Sequence, residues 1–318
     1  MIAYSFAAAS KVLEGTLVIT GPTASGKSAL VLELAQQVDI EIISADSAQV
    51  YRGMNIGTAK PSAVVLEAIP HHLVDIRETT EPYSAADFRH DVLKLVPEIR
   101  RRGRLPVIVG GTMLYLKALK EGLAELPQAD QAVREEINEL AAAQGWAAVH
   151  QELKRIDTDS AQRIKPTDSQ RLQRAVEVYR VTGSTMTELH KIAPTACPFP
   201  LTEIGIMPPD GAQLYESISR RFHTMLEEGF VEEVAALKSN LDNHRELPAI
   251  RAVGYRQIWS FMEGDIDYDT MVKTGIIATR QLAKRQYTWL RRWKGMTFQD
   301  FPDLEEVLKI VEHGTILN

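Results

Sequence analysis

Eight residues near the N-terminus, Gly21-Pro22-Thr23-Ala24-Ser25-Gly26-Lys27-Ser28, match G-x-x-x-x-G-K-[ST]. The glycines of such a loop let the backbone curl so that successive N–H groups point inward at phosphate oxygens. Lys27 adds a point charge, and the Ser28 hydroxyl is placed to bind Mg²⁺. The chemistry implied is the binding of something that carries a diphosphate. The loop is of the nucleotide-binding, ATP-binding type, but it does not by itself say that the ligand is a nucleotide. A second candidate is Asp46, at the carboxyl end of the apolar run Glu41-Ile42-Ile43-Ser44-Ala45. Ligands of open α/β sheets bind at such strand ends. A carboxylate there can hold magnesium through water or take a proton from a substrate; it can equally cap the turn that follows.

Other groupings are less specific. Between Thr270 and Gln299 there is no acidic residue, against Lys273, Arg280, Lys284, Arg285, Arg291, Arg292 and Lys294. Seven cations interleaved with Tyr287, Trp289 and Trp293, in a chain of net charge -6, are the footprint expected for RNA backbone and single-stranded bases. The alternative is an amphipathic helix with surface arginines and core tryptophans. Arg251 and Arg256, flanking Ala252-Val253-Gly254-Tyr255, are further phosphate candidates. His71-His72 lacks a third metal ligand at a useful spacing and reads as strand-edge structure. Asp75 is a candidate to support magnesium from behind its ligands. Cys197 is the single cysteine, so no internal disulfide or Cys/His zinc site forms.

The elements that must position these residues alternate. Thr16–Thr20 reads as a buried strand, followed by the loop and a helix over about 28–37. Further strands are expected at Glu41–Ala45, His72–Ile76 and Pro106–Val109, the last running into Gly110-Gly111-Thr112. A helix starts at Ser84, with Asp87 in a capping-box arrangement and Phe88, Val92, Leu95 and Ile99 at helical spacing. This alternation predicts an α/β fold with a parallel sheet flanked by helices. Residues 129–190 read as short helices, strand character returns at Thr202–Met207, and helices run on to the C-terminus. The economical division is a P-loop α/β core, 1–124 and 198–318, interrupted by an all-helical insertion, 125–197, with the proline-containing stretch Ala193–Pro200 as return linker. The chain has 318 residues, 45% hydrophobic and 25% charged, which excludes disordered and collagenous classes. No stretch is long and apolar enough to span a membrane. MIAYSFAAAS reads as a short native extension and not a signal peptide, and the single cysteine suggests a reducing, cytoplasmic setting.

Taken together, GPTASGKS, SADSAQVYRGMNIGTAKP, HHLVDI, YSAADFR, VGGTMLYLKAL, QRLQRAVEVY, RFHTMLEEGF, AIRAVGYRQIW and TRQLAKRQYTWLRRW resemble the bacterial tRNA dimethylallyltransferases, in that family's order, from about Thr16 to Trp293. The resemblance implies transfer of a dimethylallyl group from dimethylallyl diphosphate to N6 of the adenosine immediately 3′ of the anticodon, in tRNAs reading codons that begin with U. It implies that the phosphate loop holds the prenyl diphosphate with Mg²⁺, and that Asp46 is the general base on N6. By the same match Thr112 sits near the bridging oxygen of the diphosphate and Arg221 contacts the diphosphate. Asp46, Ser47, Ala48 and Gln49 would lie around a flipped-out adenosine. Thr112, Arg134 and the run Gln170-Arg171-Leu172-Gln173-Arg174 match positions of tRNA contact, with the insertion clamping the anticodon stem-loop. The alternative for Arg221 is a solvated helix-surface arginine beside Arg220, and QRLQR on its own is more often a solvated helix face than a recognition element.

Two other classes fit parts of the sequence. A P-loop small-molecule kinase shares fold and loop but leaves the cationic stretch unexplained. An RNA-binding module with a regulatory nucleotide leaves Asp46 idle. Protection in a thermal melt by dimethylallyl diphosphate or by ATP, each with Mg²⁺, separates them. A monomer is expected, because one chain supplies residues for both substrates.

Overall fold

Thr16–Thr20 forms β1, every residue of it buried, and the chain leaves it through the glycine loop into α1, Lys27–Leu34. In this computed structural model residues 15–312 are described, apart from 125, 193, 194 and 210. The first part continues with β2 (Ile40–Ser44), α2 (Ala63–Ala68), β3 (His71–His72), α3 (Ala85–Arg101), β4 (Leu105–Gly110) and α4 (Met113–Glu121). Five helices follow: α5 (Gln131–Gln144), α6 (Trp146–Ile156), α7 (Thr158–Arg163), α8 (Ser169–Thr182) and α9 (Met186–Leu189). The chain then makes β5 (Leu201–Ile206), α10 (Gly211–Glu227), α11 (Phe230–Ser239), α12 (Tyr255–Met262), α13 (Tyr268–Leu290), β6 (Thr297–Gln299) and α14 (Leu304–Glu312).

The six strands among the described residues are all parallel, in the order β3-β2-β4-β1-β5-β6. Strand side chains alternate between faces, and the core divides accordingly. Leu17, Ile19, Ile42, Val107 and Ile204 pack with Leu30, Val31 and Leu34 of α1 and Val307 of α14. Val18, Ile43 and Ile108 pack on the other side with Phe88 and Val92 of α3 and Leu116 and Leu119 of α4. The helix after β1 and the helix after β4 therefore cover opposite faces, although the two strands are neighbours, with Ile19 opposite Val109. The crevice at their carboxyl ends is the topological switch point, where open α/β sheets bind ligands.

The Ser84 capping box forms as the sequence requires, with Asp87 N–H donating to Ser84 Oγ and Ser84 N–H to the Asp87 carboxylate. On α3 the third buried position is Val96, and Leu95 is half-buried: the stripe runs Phe88, Val92, Val96, Ile99. The strand expected at His72–Ile76 is only His71–His72. Leu73 and Asp75 adopt φ of 62° and 54°, left-handed values no strand tolerates. The segment instead turns back beside Gln49 and Val50, with Asp75 N–H donating to Gln49 O and Ile76 N–H to Val50 O. The expected uninterrupted helical C-terminus contains β6, three residues at a sheet edge with two of them exposed, too short to leave a periodic pattern.

The chain divides into two compact units, Met1–Lys120 with Cys197–Asn318, and Glu121–Ala196. The second is helical, around Ile137, Val149, Leu153, Leu172 and Val176. Of the expected return linker, residues 193 and 194 lie outside the described residues, as does the N-terminal extension 1–10. Among the described residues no helix is long and apolar enough to cross a membrane.

Candidate active site

Ala24 and Gly26, at φ of 64° and 88°, give the loop after β1 its curl. A Cβ on Gly21 would stand 2.6 Å from both Ser25 Oγ and Ile206 O, so only glycine fits there. Ser25 N–H donates to Pro22 O and Thr23 N–H to Gln286 Oε1. The amides of Ala24, Gly26, Lys27 and Ser28 have no acceptor among the described residues; they are the N–H groups left to meet an anion at the start of α1. Lys27 Nζ folds back on the loop, donating to Pro22 O at 3.1 Å.

The loop forms one wall of a cavity of about 440 Å³. Asp46, Ala48 and Gln49 after β2, Gly110 and Gly111 after β4, Arg221 on α10 and Gln286 on α13 line it as well. Its remaining walls are largely apolar, from Val31 and Leu32 on one side to Phe222, Met225, Phe230 and Tyr255 on the other. Lys27 is pushed down to about 8: burial is the main cause, the Asp46 carboxylate opposes it, and the Arg221 guanidinium adds to it. Burial also lowers Arg221, against Asp46. Two crowded cations and one carboxylate leave this end of the cavity suited to a polyanion.

Asp46 serves both readings the sequence left open. Its Oδ1 accepts from Ala48 N–H at 2.8 Å and, more weakly, from Gln49 N–H at 3.4 Å, capping the turn. Its other oxygen accepts no hydrogen bond among the described residues. The loop after β4 closes over it: a Cβ on Gly110 would stand 2.2 Å from Ala45 O, and Thr112 N–H donates to the same carbonyl. Thr112 Oγ1 accepts from Ser47 N–H at 3.0 Å and reaches Ser47 Oγ at 3.4 Å. Thr112 and the Asp46–Gln49 turn are thus one assembly.

Two residues escaped the sequence reading. Glu233 on α11 accepts from the amides of Asn55, Ile56 and Gly57 at 2.7–3.2 Å and from Tyr255 Oη at 2.6 Å. The loop it holds supplies the Thr58 and Ala59 carbonyls to Gln49 Nε2, whose Oε1 accepts from Ser44 Oγ. Gln286 ties the glycine loop to Gly111. Glu233 left no sequence signal. Gln286 did, as a polar residue on the buried register Met271, Gly275, Ala278, Gln286, Leu290.

The cationic stretch divides. Lys273, Lys284, Arg285, Arg291, Arg292 and Lys294 are exposed and make no ion pair among the described residues. Arg280 is half-buried, its guanidinium 5.4 Å from the Tyr215 ring. Trp289 is on the surface under Lys117, but Trp293 donates to Glu203, which Lys120 also binds. Arg251 and Arg256 are exposed, while Tyr255 between them is buried. In the helical unit Leu172 is fully buried, so the tRNA contact expected of its side chain is corrected: it is core. Arg134 and Arg174 both grip Glu177, itself fully buried, at 2.8 Å. Burial disfavours the Glu177 carboxylate, but bonds from Arg134, Arg174 and the Asp130 amide hold it below its ordinary range. Gln173 donates to Asn138, Arg171 pairs with Asp168 on the surface, and Gln170 is exposed.

Asp75 is not among the residues lining the cavity; it pairs with Lys60 at 2.5 Å, whose ammonium also meets Tyr51 O and Asn55 Oδ1. His72 binds buried Glu41, also gripped by Arg102, and no metal-holding group of His, Cys, Asp and Glu exists among the described residues.

Residues 49–293 match the IPP transferase family. The chain belongs to that family. Membership makes it a prenyl-transferring enzyme and accounts for a phosphate loop opening onto a largely apolar cavity. Solved structures agree. The full-length tRNA isopentenylpyrophosphate transferase of Bacillus halodurans is 34% identical, covering 94% of this chain and 95% of that one, with a TM-score of 0.67. The tRNA delta(2)-isopentenylpyrophosphate transferase of Staphylococcus epidermidis is 31% identical over 94% and 98%, at 0.65. A eukaryotic dimethylallyltransferase, seen acting on tRNA, is 26% identical over 87% of this chain and 69% of its own, at 0.73.

Proposed function

We propose that this transferase moves a dimethylallyl group from dimethylallyl diphosphate to N6 of the adenosine immediately 3′ of the anticodon, in tRNAs reading codons that begin with U. The observation that carries the reading is the pairing, in one cavity, of the cationic glycine loop with a single carboxylate that keeps one oxygen unbonded. The diphosphate lies on the free amides of Ala24, Gly26, Lys27 and Ser28, with Lys27 and Arg221 countering its charge. These donors are already in place, so they stabilise charge as it grows on the leaving group. The C1–O bond of the donor breaks, the N6–C1 bond forms, and the N6 proton passes to the unbonded oxygen of Asp46. An adenine amine is a weak nucleophile, so leaving-group stabilisation does most of the work and the proton follows. Thr112, tied to Ser47 and to the Ala45 carbonyl, holds the loop after β4 in register with the strand end that carries the base.

The Ser28 hydroxyl is exposed beside the free amides and makes no hydrogen bond among the described residues, so it fits as a ligand of Mg²⁺, which when bound would neutralise charge on the diphosphate. The acceptor base must leave its stack to reach such a cavity, which is cheaper in an anticodon loop than in a duplex. Ala48 and Gln49, beside Asp46, would border it. The exposed cations Lys284, Arg285 and Arg291, with Arg251 and Arg256, supply backbone contacts, and Arg134, Gln170, Arg171, Gln173 and Arg174 of the helical unit contact the anticodon stem. The enzyme works as a monomer in the cytoplasm, where its substrate is.

The test is mass spectrometry of tRNA nucleosides after incubation with the protein, Mg²⁺ and dimethylallyl diphosphate. N6-dimethylallyladenosine at the position next to the anticodon is the expected product. ATP turnover without prenyl incorporation would refute the proposal.

A further inference from the structure

The run Lys284-Arg285-Gln286 on α13 splits in direction. Lys284 and Arg285 are exposed, and Gln286 is only 8% exposed and lines the cavity. Its amide is used at both ends: Oε1 accepts from Thr23 N–H at 2.9 Å, and Nε2 donates to Gly111 O at 2.9 Å. The partners dictate which end is which, since an N–H needs an oxygen and a carbonyl needs an N–H. The fit is close: a Cβ on Gly111 would stand 2.3 Å from Nε2. One side chain therefore joins the loop after β1 to the loop after β4 across the crevice where both strands end.

We propose that Gln286 is a positioning residue for the donor site. It takes the Thr23 amide out of the anion cradle and anchors the glycine loop to Gly111, and so determines which loop amides face the diphosphate. The inference rests on the diphosphate reading of the loop. No other side chain of that length carries an N–H donor and an acceptor oxygen on the same planar carbon. Methionine fills the space but leaves Thr23 N–H and Gly111 O without partners. Asparagine keeps the amide but is one methylene too short to reach both.

The experiment compares wild type, Q286M and Q286N by calorimetry with inorganic diphosphate and Mg²⁺, by steady-state kinetics with dimethylallyl diphosphate, and by tRNA binding. Losing one net hydrogen bond's worth of loop order corresponds to about tenfold in affinity. Q286M should therefore raise both the diphosphate Kd and the donor KM by about tenfold, Q286N by less, with tRNA Kd within about twofold. A fall in kcat at unchanged diphosphate Kd and donor KM would reduce Gln286 to general scaffolding and overturn the proposal. An equal loss of tRNA affinity would overturn it too. If a thermal melt shows Q286M unfolded, Q286N decides. Because diphosphate binding is read without turnover, a wild type that binds diphosphate but forms no prenylated product would sink the proposed function and leave this assignment standing. A wild type that does not bind diphosphate sinks both.

Discussion

Replacing Asp46 by asparagine separates its two jobs. The capping bonds from Ala48 and Gln49 end on Oδ1, and an asparagine oxygen can accept both, so the turn and the melting temperature should be nearly unchanged. What is lost is the basicity of the second oxygen and one negative charge beside Lys27 and Arg221. A general base contributes about 10²–10⁴-fold, so single-turnover prenyl transfer should fall by that order. The lower end applies if C1–O cleavage runs well ahead of proton removal. Donor binding should hold or tighten, because the carboxylate that opposes a polyanion is gone while the free amides, Lys27 and Arg221 remain. Asp46→Ala should lose the same factor in rate and, in addition, about 1 kcal/mol of stability with the turn's cap. The assay is rapid-quench transfer at saturating tRNA across a Mg²⁺ titration. A rate near wild type would leave Asp46 as a turn cap alone. Donor affinity that collapses in Asp46→Asn, with the rate recovered by excess Mg²⁺, would make it a metal ligand and refute the assignment.

Three further outcomes follow from the same geometry. Lys27, at about 8, binds an anion only when protonated, so kcat/KM for the donor should decline above pH 8, and donor binding near that pH should take up a proton; calorimetry in buffers of different ionisation enthalpy should find the uptake in wild type and not in Lys27→Ala. Changing Lys284, Arg285, Arg291 and Arg292 to alanine should weaken tRNA binding and flatten the slope of log K against log salt by roughly 3, at about 0.7 per phosphate contact; an unchanged slope would mean that this face meets no RNA. Arg134→Ala should lower the melting temperature, since Glu177 has no exposure and would keep only Arg174 and the Asp130 amide, with a loss of about 1–3 kcal/mol in urea unfolding; unchanged stability with weakened tRNA binding would show that Arg134 acts on RNA alone.

The α/β core was legible because its signals are local. A buried strand, a glycine loop and a helix start can be read one after another, and the Ser84 capping box is complete within four residues. What failed was decided by distant partners. Leu73 and Asp75 carry strand-like neighbours, yet adopt left-handed φ values because Lys60 and the Gln49 carbonyl draw the segment back. Leu172 sits in a polar run that looks like a recognition face, but it is the one apolar side chain there, and helical register turns it into the core with Ala175 and Val176. Arg134 and Arg174 look alike as free cations until Glu177 is seen between them.

The site follows the same division. The loop, Asp46 and Thr112 lie in short segments at strand ends, where type and position suffice to suggest chemistry. The residues that aim them come from far along the chain: Gln286 meets Thr23 across 263 positions, and Glu233 meets Asn55 across 178. Such residues bond backbone groups, and a backbone N–H or C=O gives no sequence clue that it needs a partner. Only the helical register of α13 betrays Gln286, a polar side chain where spacing demands an apolar one. A buried amide without a role would cost more than leucine at that position, so its presence argues for two partners before their identity is known. By that reasoning a glutamine or glutamate on the buried stripe of an amphipathic helix is itself a pointer to a backbone loop that has to be held.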